Sequence, residues 1–244
     1  ALRGLLYQLT GDEELKNVTL KTVLMSYLER KVMASDDDVA MVRRKAVEFL
    51  KAYRDAGAGP IDIGPRERLP VSLGLMRGET IPDESLGLYI EETALDPWIR
   101  SLNWRETPDP EKLDNFHVVV VGAGMGGLVS ALHLKRAGIP YTVIEKNAGV
   151  GGTWYENRYP GSRLDSPSRS YTHLFGVDFP YANPFSPWAE NQRYFSWVAD
   201  FFDLRKDMVF ETEVHSLTWD EASAKWEIVT SDKHGERKVL HANA

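Results

Sequence analysis

Four consecutive valines that run into a glycine-rich turn constrain this chain more than any other feature. The strand candidate Val118-Val119-Val120-Val121 is followed at once by Gly122-Ala123-Gly124-Met125-Gly126-Gly127. A run of β-branched residues is typical of a strand that is buried on both faces, and the apolar spacing of residues 128–134 indicates a helix that packs on it. The order of strand, tight turn and helix predicts a βα unit of the dinucleotide-binding type.

Each glycine of this pattern has a physical role. Gly122 allows the tight turn, Gly124 lets the backbone approach a pyrophosphate, and Gly127 lets the helix lie close against the strand. The phosphates then meet free N–H groups at the positive end of the helix dipole. A second predicted strand, residues 141–144, ends at Glu145, whose carboxylate can bind ribose hydroxyls and would repel a 2′-phosphate. A purely structural glycine turn is the alternative, but it does not explain the terminal acid.

A second, longer motif covers residues 151–165, with the sequence GGTWYENRYPGSRLD, and Tyr171 follows it. Paired glycines permit close backbone approach, and the aromatic residues offer flat surfaces for a ring system. An aromatic-rich surface loop is the simpler alternative. The motif resembles the flavin-facing segment of Baeyer–Villiger monooxygenases, a subgroup of the class B flavoprotein monooxygenases. Glu156 departs from that segment, in which an aromatic residue often stands.

The resemblance implies that the cofactors are FAD and NADPH. It implies that Gly122, Gly124, Gly127 and Glu145 hold the ADP half of FAD and that the backbone near Val214 contacts the adenine. The residues implied at the flavin end are Gly152, Thr153, Trp154, Arg163, Asp165 and Tyr171. Asp165 alone is given a catalytic role, the orientation of an active-site arginine. For an isolated aspartate after a turn, a local salt bridge or turn cap is the alternative.

The implied reaction inserts one oxygen atom from O₂ into a ketone, expected to be an aryl ketone, and gives an ester through a flavin C4a-peroxide. Two alternatives stay open: a related flavoenzyme that oxygenates nitrogen or sulfur, and a non-catalytic module for dimerisation or FAD binding. The family's further fingerprint, its second glycine-rich turn for NADPH and its substrate domain do not occur in these 244 residues. The chain is therefore expected to be an N-terminal portion that does not catalyse the full reaction alone.

The expected fold class is α/β, with a helical N-terminal domain at residues 1–110 and an incomplete Rossmann-like FAD-binding domain at residues 111–244. Helical patterns cover Leu15 to Val32, follow Ser35, and begin again near Pro82. An irregular connection is predicted between Gly57 and Gly78. Short strands from Met208 to Thr230 predict a β-meander.

The helical extension resembles that of the 4-hydroxyacetophenone monooxygenase branch of the family. Its apolar stripes can bury a core of their own or form a homodimer, and the sequence does not decide between these.

Composition narrows the remaining function classes. The net charge of −7 offers no basic footprint for nucleic acid, and no apolar stretch approaches the length of a membrane span. We expect a cytoplasmic protein, since a signal-peptide pattern is missing as well. The absence of cysteine removes thiolate nucleophiles and Cys-ligated zinc. The six histidines lack metal-ligand spacing and no G-x-S-x-G occurs, which argues against a metal site or a hydrolase.

Overall fold

The computed structural model describes residues 1–25 and 28–244, which divide into two compact units, Ala1–Leu95 and Asp96–Ala244. Each unit has a hydrophobic core of its own. The first unit ends before residue 110, where the domain boundary was predicted, so residues 96–110 are counted with the second unit. The predicted α/β fold class is confirmed, because the second unit combines helices with a parallel sheet.

The first unit combines four helices with one hairpin in its described part. In chain order its elements are α1 (Leu2–Thr10), β1 (Leu20–Met25), β2 (Leu28–Met33), α2 (Asp36–Asp55), α3 (Leu69–Arg77) and α4 (Asp83–Glu92), with 3₁₀ turns at Glu13–Asn17 and Arg66–Arg68. Leu15 and Val42 are almost completely buried at the centre of the larger core cluster. That cluster joins α1, α2 and the first 3₁₀ turn.

The predicted helix after Ser35 is confirmed as α2. The Ser35 side chain accepts the N–H of Asp38 at 3.0 Å, and three acidic residues occupy the first turn, where the helix dipole favours negative charge. The predicted start of a helix near Pro82 is confirmed as well, because Pro82 is the N-cap of α4.

The helix predicted from Leu15 to Val32 is wrong. Strands β1 and β2 form an antiparallel hairpin in which Leu20 pairs with Met33 and Thr22 with Lys31. The side chains of Leu20 and Met33 both pack on the larger core cluster. The apolar residues that suggested a helix are therefore buried by a strand pair instead. Residues 26 and 27, which the predicted helix also covered, lie outside the described residues.

The connection predicted to be irregular between Gly57 and Gly78 contains a helix, α3. Pro70 stands in its first turn, where the missing N–H of proline costs nothing, and Gly78 ends it in the left-handed conformation with φ 80°. The same glycines and prolines that suggested a loop therefore mark the two ends of a short helix.

The second unit contains a parallel sheet, an antiparallel sheet and four helices. Its elements are α5 (Pro110–Asp114), β3 (Val118–Val121), α6 (Met125–Ala137), β4 (Tyr141–Ile144), α7 (Thr153–Glu156), α8 (Trp188–Phe201), β5 (Met208–Val209), β6 (Thr212–Asp220), β7 (Lys225–Asp232) and β8 (Arg237–Ala242). The parallel sheet has the order β3-β4-β5, with Val118 opposite Tyr141 and Val143 opposite Met208. The predicted strand, helix and second strand are confirmed, but β3 is not buried on both faces, since Val121 at its end is 53% exposed.

Strands β6, β7 and β8 form the antiparallel meander, in which Trp219 pairs with Trp226. The β-meander is confirmed, but Met208 and Val209 do not belong to it as predicted. They form β5, which pairs with β4, because the backbone leaves the parallel sheet only after Val209. The first strand of the meander then starts at Thr212, beside the end of β4.

A buried histidine in the core of the second unit makes stability depend on pH. The ring of His173 is stacked on Phe175 with 4.7 Å between centroids, and its Nε2 is buried without a hydrogen-bond partner. Burial, with a smaller contribution from the neighbouring His133, lowers the pKa of His173 to about 4. The folded chain therefore holds this imidazole neutral at a pH where the unfolded chain protonates it.

We expect the free energy of unfolding to fall as the pH drops from the unfolded pKa near 6.5 towards 4, by up to about 3 kcal/mol from His173. Urea unfolding of His173→Phe across this range should show a flatter pH dependence than the wild type. The exposed His234, changed to Gln, serves as the control and should follow the wild-type curve. An unchanged slope in His173→Phe would contradict the assignment.

Candidate functional site

The glycine-rich turn joins the end of β3 to the start of α6, and two backbone hydrogen bonds hold it in place. The N–H of Gly122 donates to the carbonyl of Ile144 at 2.8 Å, which ties the turn to β4. The N–H of Gly151 donates to the carbonyl of Ala123 at 3.0 Å, which ties it to the second glycine motif. The glycine turn is therefore bonded both to β4, which ends beside Glu145, and to the second glycine motif.

Gly127 brings α6 close to this turn, as predicted. A Cβ atom built on Gly127 would lie 1.8 Å from the carbonyl oxygen of Gly122 and 2.9 Å from its carbon, so only a glycine fits. At the neighbouring Gly126 a built Cβ meets no atom within 4 Å. Of these adjacent glycines, only Gly127 is required by packing.

Glu145 lies at the end of β4 and is 3% exposed. Its Oε2 accepts the N–H of Ala123 at 2.6 Å, and its Oε1 accepts the N–H of Asn147 at 2.8 Å. Each carboxylate oxygen has two lone pairs, so each retains capacity for another donor such as a ribose hydroxyl. The acid is thus held in a fixed position beside the glycine turn by charge-assisted hydrogen bonds.

A cleft of about 320 Å³ opens beside the turn. Six of the predicted cofactor residues line it: Gly122, Gly124, Glu145, Gly152, Thr153 and Val214. Gly152 also approaches the first turn closely, since a Cβ built on it would lie 2.9 Å from the Cα of Gly124. The fold therefore brings the two glycine motifs, the acid and the start of the meander around one space.

Several residues of the cleft were not predicted. They are Val121, Ile144, Lys146, Asn147, Glu156, Thr212 and Glu213. The Lys146 ammonium lies 3.0 Å from the Glu156 carboxylate, which also accepts a hydrogen bond from the Asn147 amide at 3.1 Å. The pKa of Lys146 is raised by Glu156, and the pKa of Glu156 is lowered by Asn147 and Lys146. Lys146 directly follows Glu145 in the sequence, and this adjacency is the signal that could have placed it in the cleft.

A half-buried glutamine holds the second glycine motif from the other side. The Gln192 amide on α8 donates to the carbonyl of Val150 at 2.6 Å. A Cβ built on Gly151 would lie 2.0 Å from the Gln192 Oε1, so the side chain packs directly on the turn. No local pattern in the sequence indicates this contact, because the two residues lie in elements far apart in the chain.

The remaining predicted residues lie outside the cleft. Trp154 is buried, and its Nε1 donates to the Tyr171 hydroxyl at 3.3 Å, with the two rings edge to face. Arg163 pairs with Pro187 in an isolated β-bridge, and both Arg163 and Asp165 are exposed. The structure thus joins the predicted ADP-binding residues, whereas the flavin-end residues Trp154 and Tyr171 form a separate contact.

Among residues 1–25 and 28–244, no three His, Asp or Glu side chains are grouped so that they could hold a metal ion. The same part of the chain contains no helix of the length and apolar character that crossing a membrane requires.

Comparison with known proteins identifies relatives of the chain. The family profile described as "NAD(P)-binding Rossmann-like domain" matches residues 120–182. The acetone monooxygenase (methyl acetate-forming) of Gordonia sp. (strain TY-5) is 39% identical over 46% of this chain and 22% of its own length. A Baeyer–Villiger monooxygenase of Streptomyces coelicolor is 36% identical over 62% of this chain and 24% of its own. The FAD-binding monooxygenase moxY of Dothistroma septosporum is 40% identical over 45% of this chain and 18% of its own length.

The chain spans about a quarter or less of the length of these relatives. Each of these relatives is named a monooxygenase. The matched profile covers the end of β3, the glycine turn and the second motif. The resemblance to Baeyer–Villiger monooxygenases that the two motifs predicted is therefore confirmed over the matched part of the chain.

Proposed function

We propose that this chain binds the ADP half of FAD in the cleft beside the glycine turn, as part of an NADPH-dependent monooxygenase that converts ketones into esters. The observation that carries the proposal is the joining of Gly122, Gly124, Glu145 and Gly152 around one space of about 320 Å³. The open space above Gly122 and Gly126, where a built Cβ meets no atom, fits a pyrophosphate that approaches the backbone.

Each residue would have a defined task. Glu145 would accept the ribose hydroxyls, since its oxygens retain lone pairs after bonding Ala123 and Asn147. The backbone at Val214, on the meander side of the cleft, would contact the adenine. Thr153 and Trp154 would continue towards the flavin. Bound FAD would supply the redox chemistry with NADPH and O₂, and the protein would position it and exclude water.

The finer assignments remain part of the proposal. They are the aryl ketone, the route through a flavin peroxide, the 4-hydroxyacetophenone monooxygenase branch, a homodimer through the N-terminal domain, and the cytoplasmic location. Arg163 and Asp165 are exposed and do not line the cleft, so the orientation of an active-site arginine by Asp165 is also part of the proposal. Oxygenation of nitrogen or sulfur remains the second candidate.

FAD binding is tested with this chain, and the reaction is tested with a full-length protein that contains it, because the chain spans about a quarter or less of its relatives. Flavin should co-purify and give a yellow solution, and NADPH oxidation should accelerate when an aryl ketone such as 4-hydroxyacetophenone is added, with the ester as product. Oxygenation of an amine or a sulfide, with the ketone left unreacted, would favour the second candidate. A protein that neither retains nor takes up FAD would refute the proposal.

A further inference from the structure

The cleft carries an ion pair that the sequence motifs do not explain. Lys146 is the only Lys or Arg among the described residues that line the cleft, and Glu145, Glu156 and Glu213 line it with opposite charge. The Lys146 ammonium is 3.0 Å from Glu156, and the Asn147 amide donates to the same carboxylate oxygen at 3.1 Å. Lys146 is therefore already paired with Glu156, in the same cleft that Glu145 lines.

The charge of this lysine matters for the choice of nucleotide. A 2′-phosphate on the adenosine ribose would lie beside Glu145, which repels it, and a free cation at the next residue would offset that repulsion. Pairing with Glu156 engages that cation, and Glu156 adds a further negative charge at the same place. The three acids around the one lysine leave the cleft unfavourable for a phosphorylated ribose.

We propose that Glu156 is a specificity-determining residue which, by engaging Lys146, keeps the cleft selective for an adenosine diphosphate with an unphosphorylated ribose, such as that of FAD. This inference rests on the proposed function, because it assumes that the ribose lies at Glu145. It assigns a role to the residue at which the second motif departs from the family pattern.

NAD⁺ and NADP⁺ are suitable probes, since they share the ADP part of FAD and differ from each other only in the 2′-phosphate. Calorimetric titration of the whole chain gives the ratio of their two dissociation constants. In Glu156→Gln the ratio should shift towards NADP⁺ by about threefold, the size expected for an exposed ion pair. A merely structural role of Glu156 would change both affinities together and leave the ratio constant.

Two further variants separate the pair from general charge effects. Glu236→Gln removes one carboxylate from another exposed ion pair, with Lys238, which does not line the cleft, and should leave the ratio unchanged. In a Lys146→Met background the same Glu156→Gln change should lose most of its effect, because the cation that it frees is gone. Thermal melting of each variant confirms that it is folded.

The outcomes distinguish the two proposals. If FAD and NAD⁺ bind to the wild type but Glu156→Gln leaves the ratio unchanged, the role of Glu156 is refuted and the proposed function stands. If the shift persists fully in the Lys146→Met background, Glu156 acts without Lys146 and the pairing is refuted. If the wild type binds neither FAD nor NAD⁺, both the proposed function and this inference are refuted.

Discussion

Replacing Gly127 by alanine should destabilise the second unit by about 3 kcal/mol or more, at the upper end of what overpacking costs. The added methyl group would lie 1.8 Å from the carbonyl oxygen of Gly122, which belongs to the backbone and has no rotamer to change. Either α6 moves away from β3 or the turn opens, and both changes alter the cleft. Urea unfolding and FAD titration of the same sample should therefore show lower stability together with weaker binding.

The adjacent glycine supplies a matched control for this experiment. Gly126→Ala introduces the same methyl group one residue earlier in the same helix, where no atom lies within 4 Å. Alanine is the better helix former, so stability should stay constant or rise by up to about 1 kcal/mol. If the two variants unfold at the same urea concentration, the close approach of α6 to the turn is not a feature of the protein.

Replacing Glu145 by alanine is the second change with a large expected effect. The variant removes the acceptor for the N–H of Ala123, a residue that is fully buried, and leaves that donor unsatisfied. An unsatisfied buried donor costs about 1–3 kcal/mol, and the loss of charged hydrogen bonds to ribose should weaken FAD binding by roughly 10- to 100-fold. Stability and affinity are measured by urea unfolding and by quenching of flavin fluorescence.

Two further variants show which part of this effect is specific. Glu145→Gln keeps the shape but places an NH₂ group where one of the two N–H donors now finds an oxygen, so it should lie between the wild type and the alanine variant. Glu213→Gln removes an exposed carboxylate from the same cleft and should change FAD affinity little. Wild-type FAD affinity in Glu145→Ala would mean that the ribose lies elsewhere.

Much of the nucleotide-binding part could be predicted from sequence because its signals are local. The valine run, the spacing of the glycines and the position of Glu145 each describe a few neighbouring residues, and the structure joins Gly122, Gly124 and Glu145 as these signals predicted. Gly138 ends α6 in the left-handed conformation with φ 72°, which a glycine adopts without strain.

The failures have a non-local origin. Residues from Leu15 to Val32 carry apolar spacing that suits a helix or a hairpin, and the packing of Leu20 and Met33 on a core shared with α2 decides for the hairpin. Met208 joins the parallel sheet because it pairs with Val143, which lies more than sixty residues earlier in the chain, so no local pattern could predict the pairing. The pair of Lys146 and Glu156 likewise depends on how the chain turns between them.

The most direct test of the account is a crystal structure of the chain soaked or grown with FAD. We predict the adenosine in the cleft, with the ribose hydroxyls within hydrogen-bond distance of the Glu145 carboxylate and the pyrophosphate above the turn at Gly122 and Gly124. Density for FAD at another place on the chain, or a nicotinamide nucleotide that occupies this cleft in preference to FAD, would contradict it.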